Sequence, residues 1–159
     1  MSENNNESMY SKIEDSISTA LSGDTLKSAL DFAGYLKANE LTVNGAEISY
    51  KGNAVCYMHL DGGKDYPSPW TIWTQGDYSL EHEDMPIDEH MKEIAWANIN
   101  VCGSCGSDCS PGALKVIFGK EFENVCSADM AFYIPDAETL ECVKKLLDMR
   151  KNDIIKSLA

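Results

Sequence analysis

The chain has 159 residues, 43% hydrophobic and 25% charged, which fits one domain with a real core and excludes wholesale disorder. Its formal net charge is -13 and its only Arg is Arg150, so it lacks the basic stripe that phosphate backbones need. Nucleic-acid binding is therefore not expected, and the same charge repels an anionic membrane surface.

No apolar run approaches the length of a membrane span. The polar start, Met1 to Ser8, does not read as a signal peptide. The expectation is a cytoplasmic protein in a reducing compartment, where six Cys are thiols rather than disulfides.

Residues 1–8 read as a disordered tail. Ile13, Ile17 and Leu21 recur at helical spacing and predict a first helix over Tyr10 to Leu21. Ser22-Gly23 breaks it. Asp24 is the expected cap of a second helix, whose apolar face is Leu26, Ala29, Leu30, Ala33 and Leu36. Glu47 to Leu60 reads as a hairpin turning at Lys51-Gly52-Asn53. Gly and Pro punctuate Asp61 to Pro69 as a loop, and Trp70 to Thr74 is a short strand. After a polar, acidic stretch, Asp88 can cap a third helix with Met91, Ile94, Ala95 and Ile99 on its apolar stripe. Val101 to Gly112 is a knuckled loop. Leu114 to Phe118 and Ala128 to Ile134 read as strands, the second with Met130, Phe132 and Ile134 alternating. Asp136 caps the last helix, whose stripe is Leu140, Val143, Leu147 and Ile154.

Strands come in runs joined by short turns, without regular strand–helix alternation. That predicts an α+β fold: a mostly antiparallel sheet of about five strands, with helices at the N-terminus, in the middle and at the C-terminus. The whole is one domain over 9–159.

The chemically pointed feature is a set of thiols. Cys102 and Cys105 are two residues apart in a Gly-Ser turn, Cys109 follows, and Cys126 returns after a strand-length interval. Thiolates from a knuckle and a remote position suit tetrahedral Zn²⁺. The alternative metal is an iron–sulfur cluster, although the ferredoxin spacing is not reproduced. A full set of four thiolates leaves no place for water, so the site would be structural or regulatory. Cys102-Gly103-Ser104-Cys105 could also be a redox dithiol, but it follows a helix where thioredoxin-like motifs follow a strand. Cys56 and Cys142 read as small buried hydrophobes, and Cys126 has the parity to do the same.

A second candidate is a ligand pocket lined by Trp70 or Trp73, with His59 and Tyr57 nearby; ordinary core packing is the competing account of these rings. Trp70 and Trp73 should face opposite sides of their strand. His82 and His90 lie in an acidic stretch that reads as a solvated face. Gly119-Lys120 is a tight turn and not a phosphate loop.

The motifs Cys102/Cys105/Cys109, Pro111-Gly112, Gly119 to Cys126, Pro135-Asp136 and Arg150-Lys151 resemble a group of small bacterial proteins, as does Tyr50 to Tyr57. The resemblance implies family membership without an assigned activity, and it joins Cys126 to the knuckle. The expectation is a zinc protein without a complete catalytic constellation. A small-molecule or protein partner is left open.

Overall fold

A computed structural model describes residues 2–60, 69–74, 76, 78, 87–101 and 112–158. In chain order the elements are α1 (Ser2–Ala20), α2 (Gly23–Ala38), β1 (Thr42–Asn44), β2 (Glu47–Tyr50), β3 (Asn53–Leu60), β4 (Trp70–Thr74), α3 (Glu89–Ala97), β5 (Ile99–Val101), β6 (Ala113–Ile117), β7 (Lys120–Tyr133) and α4 (Ala137–Leu158). The fold is α+β. Among the described residues its sheet has seven strands, not about five, in the order β1-β2-β3-β4-β7-β5, with β6 also on β7, and every pairing is antiparallel.

Alternation along the strands sends one row of side chains to each sheet face. Met58, Ile72 and Phe132 are cross-strand partners on one face, as are Cys56, Thr74 and Met130. This face is the core. It packs with Tyr10, Ile13 and Ile17 of α1, with Phe32 and Leu36 of α2, and with Leu140, Val143, Leu146 and Leu147 of α4. Helices on one side and strands on the other make a two-layer arrangement. The stripes expected for the first and last helices are buried; of the other two, Ala29, Ala33, Leu36 and Ala95 are buried, while Leu26, Leu30, Met91 and Ile94 are half-buried against the core.

Two predicted caps are present: Asp88 accepts from the Met91 amide at 2.8 Å and Asp136 from the Thr139 amide at 2.8 Å. The cap of α2 is not Asp24 but Ser22, whose extended backbone starts the helix without a side-chain bond. Asp24 instead lies in the first turn, where its charge favours the helix dipole.

The remaining differences lie in short or irregular segments. Helix α1 begins at Ser2, within the expected tail, because adding turns to a packed helix costs far less than starting one. Ile99 belongs to β5 and not to the third helix. Strands β1 and β5 have three residues each, too short for a period to show. Strand β7 starts eight residues before Ala128, since its first half forms a hairpin with β6. The turn of that hairpin puts Phe118 at φ 49° and Gly119 at φ 85°, the two left-handed positions that match strand twist.

No helix among the described residues is long and apolar enough to cross a membrane.

Candidate functional site

Strand β7 is where the thiol question becomes geometric. Val101, the last residue of β5, pairs with Val125 on one side. Ala113, the first residue of β6, pairs with the same Val125 on the other. The cysteine-bearing segment between them thus leaves and rejoins the sheet at a single residue, the one before Cys126. Its last described residue is pressed onto β7: a Cβ on Gly112 would lie 2.4 Å from the Asn124 carbonyl carbon. Only glycine allows that approach.

Next to Val125, β7 is irregular. Ile99 pairs with Met130 and Val101 with Val125, so a two-residue step on β5 faces a five-residue step on β7. The extra residues form a bulge that begins at Cys126. Bulges re-aim side chains and recur at sites. Polar contacts fix this one. The Lys115 ammonium donates to the Cys126 carbonyl at 3.0 Å and forms a close ion pair with Asp129. Asn100 Nδ2 donates to the Ala128 carbonyl at 3.0 Å. The Gly76 amide donates to the second oxygen of Asp129 at 3.1 Å. Asp129 is 2% exposed, so its carboxylate depends on these donors in place of water.

Cys126 itself is half-buried and stays outside the core. Cys102, Cys105 and Cys109 lie outside the described residues. Among the described residues no group of three or more His, Cys, Asp or Glu could hold a metal ion. Cys56 and Cys142 are buried in the core, as expected. Burial pushes the Cys142 thiol up to about 12 and the Cys56 thiol higher still, so both stay protonated. They are packing groups, and Cys142 also donates to the Met91 carbonyl at 3.4 Å.

The expected pocket residues divide between the faces. Trp70 is fully buried against Phe32, with ring centroids 6.3 Å apart, and belongs to the core. Tyr57 and Trp73 pair across β3 and β4 on the opposite face, and His59 stands two residues from Tyr57. The His59 and Trp73 rings are 6.4 Å apart. On the same face lies Thr71, cross-strand partner of both His59 and Tyr133. Thr71 is 0% exposed and its hydroxyl has no hydrogen-bond partner among the described residues. A groove of about 1050 Å³ runs between α1 and the β1–β2 turn, lined by Met9, Lys12, Ser16, Val43, Ala46 and His59 among others. Of the four expected pocket residues, His59 alone lines it.

His90 meets Glu138 across α3 and α4, exposed to solvent, and that bond raises its pKa. His82 lies outside the described residues. Lys120 sits over the Trp96 and Phe122 rings at 5.3 and 5.5 Å, a surface cation–π contact.

Lys115 and Asp129 are the site residues that sequence reasoning missed. They are fourteen positions apart and meet only because of the hairpin and the bulge. Thr71 had a readable signal, since it alternates with Trp73 on the same face.

Comparisons with known protein families, with curated proteins and with solved structures find no match to this chain.

Proposed function

We propose that this chain is a non-enzymatic zinc-binding protein, with Cys102, Cys105, Cys109 and Cys126 as thiolate ligands in a structural or regulatory site. The observation that carries the reading is the double anchoring of the cysteine segment on Val125. Neighbouring strands are roughly 5 Å apart, so Val101 and Ala113 flank Cys126 at short range. Cys105 is four residues from Val101 and Cys109 four from Ala113. Full extension would carry each no more than about 14 Å from its anchor. Chain length therefore allows all three thiols of the segment to converge with Cys126. Its half-buried place beside a fixed bulge keeps its thiol available.

Four thiolates around Zn²⁺ leave a net negative charge, and the Lys115 ammonium beside Cys126 offsets part of it. With four sulfur ligands the ion is coordinatively full, which supports a structural or sensing role over catalysis. A reducing, cytoplasmic setting would keep the thiols available for metal.

Elemental analysis and a visible spectrum of protein purified anaerobically, without chelator, test this. The expected result is about one zinc per chain and no colour. Iron with a brown spectrum would replace zinc by the iron–sulfur reading. Metal-free, fully folded protein with a reactive Cys102–Cys105 pair would favour the dithiol.

A second reading is favoured by one observation, the buried hydroxyl of Thr71, which has no partner among the described residues and lies on the same face as His59 and Trp73. A small ligand carrying a polar edge would supply the missing partner on this aromatic face. Side-chain NMR shifts of His59 and Trp73, titrated with imidazole or indole, test it. Unchanged shifts at millimolar probe remove it.

A further inference from the structure

We propose that the groove between α1 and the β1–β2 turn takes an extended, positively charged peptide segment, which adds to the sheet as a strand at the edge that β1 presents. This partner is independent of the metal reading above.

The starting point is how that edge is closed. Strand β1 pairs with β2 on one side only, so main-chain groups turned the other way need partners from elsewhere. Helix α1 supplies two. The Tyr10 hydroxyl donates to the carbonyl of Leu41, the residue before β1, at 2.6 Å. The Val43 amide donates to the Met9 sulfur at 3.2 Å. The two closures are unequal. A phenol on a carbonyl is a strong pair and here it is buried, whereas a thioether is a weak acceptor. Met9 and Val43 are half-buried, and both line the groove. A peptide carbonyl entering the groove is a better partner for that amide than the sulfur it displaces. Methionine is unbranched and rotates aside readily, and Met58 brings the same adaptability to the same groove.

A helix that only shielded the edge would lie flat on it. Here a groove of about 1050 Å³ remains, and Ser16 and Ala20 on one wall and Gly45 and Ala46 on the other are too small to fill it. The α1 wall runs from Ser8 to Ala20, about 18 Å of helix. An extended chain rises about 3.3 Å per residue, so that length holds about five or six residues. Charge narrows the choice of peptide. The chain has 26 acidic residues against 13 basic ones. At the groove, Asp15 on the wall and the exposed Glu47 next to Ala46 outnumber the Lys12 ammonium. A peptide with basic ends is drawn in and an acidic one is repelled. Main-chain bonds then supply affinity, and apolar side chains at alternate positions supply preference.

The test uses the full chain and fluorescein-labelled heptapeptides with Lys at both ends and Val, Leu or Phe alternating with Ser between them. Binding is followed by anisotropy and by the NMR shift of the Val43 amide. The expected result is a Kd below about 1 mM, with the Val43 amide among the most shifted. Methylating alternate peptide nitrogens, or exchanging the terminal Lys for Glu, should weaken binding at least about tenfold. Ser16→Trp puts a ring into the groove from an exposed helix position, and should abolish binding while the chain stays folded. Met9→Leu keeps the bulk and removes the sulfur, so the Val43 amide gains most from a peptide carbonyl and binding should tighten about two- to tenfold. Melting curves confirm that each variant folds. If Met9→Leu does not, Ser16→Trp and the methylated peptides carry the comparison. No anisotropy change at millimolar peptide would overturn the proposal, since main-chain recognition tolerates sequence. Binding that survives both peptide methylation and Ser16→Trp would overturn it as well, and would mark unspecific attraction to an acidic surface.

Discussion

The two halves of β7 are built on different principles. From Met130 to Tyr133 the strand keeps perfect register with β4, and Met130 and Phe132 are sealed under the helices. From Lys120 to Asp129 it carries shifts against both β5 and β6, a left-handed Asn124, and a bulge braced by Lys115, Asn100 and Gly76. The regular half is specified by apolar burial, which is nondirectional and tolerant. The irregular half is specified by directional polar contacts, which are costly unless each is satisfied. Chains give up regularity mostly where a side chain must be aimed, and the half that gives it up holds Cys126.

The largest effect is expected at the regular end. Phe132→Ala should cost about 3–5 kcal/mol, because it opens a cavity in the centre of the core. Urea unfolding measures the loss, and a cost below 1 kcal/mol would mean that the helices do not press on this row as described. Zinc affinity of whatever remains folded should be nearly unchanged.

An intermediate effect is expected where the cysteine segment meets the strand. Gly112→Ala would drive a Cβ to 2.4 Å from the Asn124 backbone, so one of the two must move. Overpacking of this kind costs about 1–3 kcal/mol. Metal-free unfolding and zinc titration should both register it, in contrast to Phe132→Ala. Equal effects of the two substitutions on metal affinity would erase the distinction between the halves.

The smallest effect belongs to neither half. The Glu138 bond raises the pKa of His90 above its usual 6.5 in the folded protein. The pair therefore adds stability while the imidazole is charged, fully below 6.5, and loses it as pH rises through the raised value. Both side chains are about two-thirds exposed, so the effect is small and falls with salt. His90→Asn should flatten the pH dependence of the melting temperature across that window, and an unaltered slope would assign it to another group.

Much of the layout was legible because burial leaves a period in the sequence. The stripes Ile13/Ile17, Ala29/Ala33/Leu36 and Leu140/Val143/Leu147 repeat at helical spacing and face the sheet. Asp88 and Asp136 stand where a helix needs an acceptor. Trp70 and Trp73 divide between faces as a pleated strand requires. Strands β1 and β5 were silent, since three residues can show no alternation. The first half of β7 was silent for another reason: its pattern is interrupted at the left-handed Asn124 and at the bulge, whose partners are far away in sequence. For the candidate site, composition pointed to the thiols. The bracing pair Lys115–Asp129 was invisible, because two charged residues fourteen apart carry no signal until a hairpin and a bulge bring them together.

The lateness of β7 in the chain has a consequence for synthesis. Strands β5 and β6 find their hydrogen-bond partner in it, β4 finds its second one there, and it is the last strand to be made. Until residue 133 has left the ribosome, β4 has an open edge and Trp70 and Ile72 lack the neighbour that encloses them. The nascent chain is thus briefly a sheet without its keystone, exposing the kind of edge that chaperones cover and that aggregates recruit.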